Sequence, residues 1–314
     1  MPPHPHQPVH QAVPRSLLEP EGPWRHLHVS AGGARFHVAD MSGDANHDHA
    51  IILLQPFPLT WWSWRAVMPL VAQAGHRVIA MDLRGFGTSD LQAGNADLIQ
   101  LALDVRSVVG ALGIAQFSVV GLGMGGAVAW MVAAMHPVNL RSVVVIASPH
   151  PLSRPTLRLT RPFSRARLLE LRMDIPLRRV HLLARGSVLS GIIRHWAAPA
   201  HREALLANAH PYQAALTRPF AASVATDMFS ATRHLNLASR KILASDVAVP
   251  VLSAICAQDS SLTAFDFAHD STHCAGSFTQ VVFRKSGHFA SEEDPDGVAH
   301  LITKFMDQVS TMSR

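Results

Sequence analysis

Tyrosine is almost absent from this chain. Tyr212 is the only one in 314 residues, so chemistry that needs a pair of phenolic hydroxyls is excluded. Cysteine is nearly as scarce. Cys256 and Cys274 give no disulfide framework, which suits a reducing compartment such as the cytoplasm. Lysine is confined to Lys241, Lys285 and Lys304, and the other basic residues are all arginine. One uncharged run, residues 108–135, is long enough to span a bilayer. Gln116, Ser118 and a glycine cluster interrupt it, so no transmembrane segment is expected. The start of the chain has no basic segment followed by an apolar core, so no secretory signal is expected either.

What is present is ample apolar material. With 48% hydrophobic and 16% charged residues, the chain suffices for one large α/β domain carrying an insertion. Residues 1–20, rich in Pro, His and Gln, read as a disordered tail. His4, His6 and His10 there, and the His and Asp residues of the turn at 43–49, are better read as solvated groups than as metal ligands, so no metal is expected. Residues 24–41 read as two strands around Gly32-Gly33. Ile51–Leu54 reads as a strand buried on both faces. A helix over Trp61–Ala74, a strand over His76–Leu83, a helix over Leu98–Leu112 and a strand over Ser142–Ala147 follow. Strands return at Val249–Cys256 and Thr279–Phe283, and a last helix spans Asp296–Val309. This alternation predicts a mostly parallel, doubly wound sheet. Residues 151–246 break the pattern with apolar–arginine segments and few strand signals, and read as an inserted helical cap. The core is then 21–150 with 247–314.

The stretch around which the rest is organised is Ser118-Val119-Val120-Gly121-Leu122-Gly123-Met124-Gly125-Gly126. A β-branched run enters a glycine cluster, and an apolar helix leaves it. This is the strand–turn–helix context of a nucleophile elbow. Gly123 stands in the nucleophile slot, and a hydrogen side chain attacks nothing. Phe57-Pro58-x-x-Trp61-Trp62-Ser63-Trp64-Arg65, the run from Ala74 to Gly87, Ser148-Pro149-His150-Pro151 and Ser286-Gly287-His288-Phe289 accompany the elbow. In combination they resemble the α/β-hydrolase superfamily, in its epoxide-hydrolase and haloalkane-dehalogenase-like branch. The resemblance covers roughly residues 24–150 and 247–310, and the cap shares only its position. It implies an α/β-hydrolase fold, Asp259 as the acid after a late strand, and His288 as the base. It also implies an oxyanion region near Phe57, Met124, Leu122 and Gln55.

The departures from the family pattern matter more than the matches. Gly123 replaces a Ser or Asp nucleophile, Leu122 replaces the usual histidine before it, and Gln55-Pro56 replaces His-Gly. Pro56 has no N–H and restricts Gln55, so this loop should be reshaped. The epoxide-hydrolase mechanism implied by the resemblance requires an aspartate at 123 and two cap tyrosines, and this chain has neither. Haloalkane dehalogenase fails with the same aspartate, and serine esterase chemistry fails for want of a hydroxyl at 123.

The cap carries the positive charge. Residues 151–202 hold eleven arginines and two acids, a net +9, while the rest of the chain nets −4. Leucines alternate with the arginines around Arg165, Arg167 and Arg172. A basic amphipathic segment with a tryptophan fits an anionic membrane surface or an acidic protein partner. It equally fits a cap helix that packs its leucines inward and solvates its arginines. No nucleic-acid motif is visible. The sequence therefore reads as a degenerate hydrolase that binds an apolar or amphipathic ligand, such as a lipid, or a membrane-associated cell-envelope partner. Its expected location is cytoplasmic, with peripheral contact at the inner face of the membrane, and no cofactor is implied. The alternative is an enzyme without the elbow nucleophile, in which a His288–Asp259 dyad drives lyase or water-activated chemistry.

Overall fold

Eight strands form a single sheet in the order β1-β2-β4-β3-β5-β6-β7-β8. The computed structural model describes residues 13–41, 48–91, 97–153 and 187–312. Its strands are β1 (Arg25–Ala31), β2 (Ala34–Met41), β3 (His49–Leu54), β4 (Arg77–Met81), β5 (Gln116–Leu122), β6 (Leu140–Ile146), β7 (Val251–Cys256) and β8 (Phe278–Phe283). β1 and β2 form an antiparallel hairpin, β2 runs antiparallel to β4, and the other pairs are parallel. Ala50–Leu54 and Phe117–Leu122 are wholly buried, as parallel strands covered on both faces must be. This is the α/β-hydrolase fold.

The helices are α1 (Arg15–Leu18), α2 (Val67–Gln73), α3 (Leu98–Ala111), α4 (Met124–Ala134), α5 (Ser187–Trp196), α6 (Arg202–Ala207), α7 (His210–Thr217), α8 (Ala221–Arg233), α9 (Leu237–Leu243), α10 (Ala290–Glu293) and α11 (Pro295–Met312). One apolar cluster joins the sheet to α3, α4, α5 and α8. A second joins its other face to α2 and α11. Asp97 caps α3 by accepting from the Gln100 N–H at 2.9 Å.

Two expectations need correction. The helix over Trp61–Ala74 is a 3-10 turn at Trp61–Trp64 followed by α2 from Val67. Pro69 lacks an N–H, and its ring would meet the Arg65 carbonyl if one helix ran through. Residues 15–18, expected to belong to a disordered tail, form α1. α1 buries Leu18 against Ala214 and Ala215 of α7, and the Trp61 indole N–H donates to the Leu18 carbonyl at 3.0 Å. His4, His6 and His10 lie outside the described residues. So do Arg165, Arg167 and Arg172, within 154–186. The described chain between β6 and β7, residues 187–243, is helical from α5 to α9. Among the described residues no helix is long and apolar enough to cross a membrane.

Candidate functional site

The elbow forms where β5 meets α4. The Gly123 N–H donates to the Ile146 carbonyl at 2.9 Å, and the Gly123 carbonyl accepts from Ala127 N–H at 3.2 Å. One residue thus closes the strand and opens the helix. Its φ of 55° and ψ of −112° would strain any residue with a side chain. Gly125 is small for a different reason: a Cβ there would collide with the Leu54 carbonyl as α4 crosses β3.

Asp259 follows β7 and His288 follows β8, so neighbouring strands deliver them to the same sheet end as the elbow. His288 Nδ1 lies 2.7 Å from Asp259 Oδ2. The other oxygen, Oδ1, accepts from the Ser261 N–H at 2.7 Å and from its hydroxyl at 2.6 Å. With the carboxylate ionised, Nδ1 holds the proton and Nε2 presents a lone pair toward the elbow. A Cβ built on Gly123 would lie 2.7 Å from Nε2 and 3.2 Å from Cε1. Both separations are shorter than van der Waals contact, so the imidazole occupies room that a nucleophile side chain would need.

The cap is fastened over this dyad. His288 N–H donates to the Trp196 carbonyl at 2.9 Å, and the Trp196 ring meets the imidazole edge-on at 4.9 Å. Glu293 accepts from three backbone N–H groups: Gly287 at 2.6 Å, Ala198 at 3.0 Å and Phe289 at 3.0 Å. Burial raises its pKa, and these three donors offset only part of that rise. Glu292 accepts from the Tyr212 hydroxyl and from both ends of the Arg65 guanidinium. Burial and the adjacent Glu292 charge push the Tyr212 pKa well above its usual value. The chain's single tyrosine is therefore fully buried and engaged in tying α7 to the core.

Between cap and elbow lies a cavity of about 20 Å³, lined by Gly123, Met124, Ser148, Trp196, Phe229 and His288 among others. That is room for about one water. Of the residues expected around an oxyanion, Met124 lines it. Gln55 and Leu122 do not. The Gln55 amide turns into the sheet, where its NH2 donates to Met81 O at 2.7 Å and its oxygen accepts from Leu83 N–H at 3.2 Å. Leu122 is fully buried in the cluster that faces α2 and α11. The Phe57 ring stacks on Phe229 at 4.2 Å. Pro56 does border the elbow, its Cβ 3.4 Å from the Gly123 Cβ position.

Trp196, the tryptophan of the basic amphipathic segment, is 1% exposed and packs on the dyad. Ser261 and Glu293 were not singled out from the sequence. Asp259-x-Ser261 is an acidic side chain accepting from the N–H two residues on, a turn signal that was readable. Glu293 draws two of its partners, Gly287 and Phe289, from just before it and the third, Ala198, from the distant cap, which no local pattern marks. Neither cysteine is a poised thiolate. Burial pushes Cys256 well up, and burial with the nearby Asp270 and Asp246 pushes Cys274 up to about 12.

Comparison with known proteins agrees with this fold. The alpha/beta hydrolase fold family matches residues 49–178. Epoxide hydrolase 4 from Homo sapiens is 30% identical over 148 residues, covering 46% of this chain and 40% of that protein. Epoxide hydrolase B from Mycobacterium tuberculosis is 37% identical over 126 residues, covering 40% and 35%. The match thus spans about two fifths of these relatives' own length. The crystal structure of Cfl2 from Burkholderia cenocepacia superposes with a TM-score of 0.76 at 26% identity, covering 90% of this chain and 95% of that one. The chain is an α/β-hydrolase-fold protein with epoxide hydrolases among its relatives.

Proposed function

We propose that this protein is a non-covalent binder built on a hydrolase fold, acting as a binding or regulatory protein. The observation that carries the reading is the elbow. Gly123 supplies no attacking atom, and His288 Nε2 stands 2.7 Å from where a Cβ would begin. The alkyl-enzyme or acyl-enzyme step of the fold needs that atom. The tyrosine chemistry of an epoxide hydrolase is unsupported too, because Tyr212 is bound to Glu292. We further propose an apolar or amphipathic ligand, such as a lipid, and peripheral contact with an anionic membrane or a membrane-associated partner. The support is the net +9 over residues 151–202. Native mass spectrometry of protein purified from its own source tests the reading. A retained amphipathic molecule supports it, whereas a covalent adduct at the elbow contradicts it.

A second reading rests on a separate observation. Ser261 and Asp259 hold His288 with its Nε2 toward a cavity of about one water. Such a dyad can take a proton from that water or from a bound substrate. His288→Ala separates the two readings: a binder keeps its ligand affinity, and a dyad enzyme loses turnover.

A further inference from the structure

A second buried histidine–aspartate pair lies at the same sheet, away from the elbow. His37 Nδ1 is 2.8 Å from Asp82 Oδ2, and both side chains are 0% exposed. His37 Nε2 is 2.9 Å from His26 Nδ1, and His26 Nε2 is 3.0 Å from the Pro20 carbonyl. Three hydrogen bonds run in series between two groups that only accept, a carboxylate and a carbonyl. Asp82 is the acceptor toward its other partners too, receiving the Trp61 and Thr88 N–H groups at 2.9 and 3.3 Å. Each of the three bonds needs one proton, and two neutral imidazoles bring only two. Without a third, two lone pairs would face each other at 2.9 Å in a buried site.

We propose that His37 is a buried imidazolium, and that its extra proton clasps the N-terminal strap, residues 13–20, to the sheet. The proton completes the series Asp82–His37–His26–Pro20 and neutralises the buried Asp82 charge. The proton is placed on His37 because that ring alone of the two touches the Asp82 carboxylate, at 2.8 Å, while burial lowers the pKa of His26. A zinc ion is a poorer occupant. Two nitrogens each about 2.0–2.1 Å from a tetrahedral zinc stand roughly 3.3 Å apart, further than the spacing here.

The charged surroundings come from every element packed on the pair. The strap supplies Glu19, which accepts from His28 Nε2 at 3.0 Å and Thr88 Oγ1 at 2.7 Å, and Arg15, whose Nε donates to Glu19 at 2.8 Å. β1 supplies His28, whose ring lies 5.4 Å from that of His37. Arg218, at the end of α7, donates to the Gly87 carbonyl and feels the Asp82 charge. The strap in turn carries α1, which buries Leu18 against α7. The proton therefore links the sheet to the cap through the strap.

The test uses the full chain labelled with nitrogen-15 at histidine. At pH 8, where exposed imidazoles are neutral, His37 should show both ring nitrogens protonated. Raising the pH until that signal disappears should speed tryptic cleavage after Arg15 at least fivefold, relative to cleavage in denatured chain at each pH. In His26→Gln the amide can accept from His37 and donate to Pro20, so the imidazolium signal should remain. In Asp82→Asn it should vanish. Asp82→Asn risks misfolding, so the wild-type spectrum decides. A neutral His37 at pH 8, stoichiometric zinc in the purified protein, or unchanged cleavage across the loss of the proton would each overturn the proposal.

Discussion

Among the described residues, two buried histidine–aspartate pairs have nearly equal hydrogen bonds, 2.7 Å at His288–Asp259 and 2.8 Å at His37–Asp82. They differ in what the far nitrogen meets. His288 Nε2 faces the elbow and a cavity beside it; His37 Nε2 faces another imidazole. A free lone pair beside a cavity is the condition for general-base chemistry, whereas an engaged one is a structural link. The pair alone therefore says nothing about activity. The groups around the distal nitrogen decide, and at the elbow the one group required for covalent catalysis is missing.

The comparison breaks most easily at the aspartates. Asp82→Asn should destabilise by about 3 kcal/mol, because it removes the carboxylate that His37 and the Trp61 and Thr88 N–H groups share. Asp259→Asn should cost about 1 kcal/mol, since Asn retains an acceptor for Ser261. Urea unfolding of both variants checks this, and equal losses would erase the distinction between the two pairs. Asp270 sharpens it as a buried carboxylate whose oxygens accept from the His150 N–H and the Ser253 hydroxyl rather than from a ring. Burial raises its pKa to about 7. The unfolded carboxyl releases its proton near pH 4, so the folded state binds more protons between those values. The stability it contributes is full below about pH 4 and is lost as pH rises through about 7, by an amount on the order of 4 kcal/mol. Asp270→Asn should flatten that slope in melts taken from pH 4 to 8.

Gly123→Ser is the next largest effect. The positive φ and the crowding by His288 should lower stability by about 1–3 kcal/mol. Little esterase activity should appear. Pro56 and the inward-turned Gln55 disturb one side of the oxyanion site, and a lost donor typically costs about 100–1000-fold in rate. Assaying short acyl esters with Gly123→Ser, beside Gly123→Ser with His288→Ala, checks it. Robust turnover that depends on His288 would mean that the site is intact apart from one side chain. The smallest effect concerns the cap. Each arginine near an anionic bilayer contributes about 1 kcal/mol at most, and salt screens it. Co-sedimentation with anionic vesicles should weaken with salt and with Arg165, Arg167 and Arg172 changed to Glu. Equal binding to neutral vesicles would count against membrane contact.

Much of the fold was legible because local signals agreed with it. The apolar run Ile51–Leu54 and the glycine cluster at 121–126 each have few alternatives. Pro69 carried a readable break that an apolar, tryptophan-rich context masked. At the site, Gly123 was legible as an absence, and the count of one tyrosine excluded a mechanism before any geometry was known. Asp259 and His288 came from family likeness, as spacing cannot join residues 29 apart. Trp196 lies on a basic amphipathic segment, and such a tryptophan reads the same whether it faces lipid or a histidine. Tertiary contact settles that, and so does the three-donor clasp of Glu293, whose partners at Ala198, Gly287 and Phe289 span two segments. The histidines of β1 and β2 alternate as strand residues do, and their proton count emerges only once Pro20 and Asp82 are placed at either end.

The central claim is that the elbow forms no covalent intermediate, and the most direct test is intact-protein mass spectrometry of the wild type. The protein would be incubated separately with a fluorophosphonate, an activated acyl ester and a terminal epoxide, then quenched in acid. The account predicts an unchanged mass in all three. A stoichiometric adduct mapped to residues 121–126, or to Ser148 beside them, would contradict it.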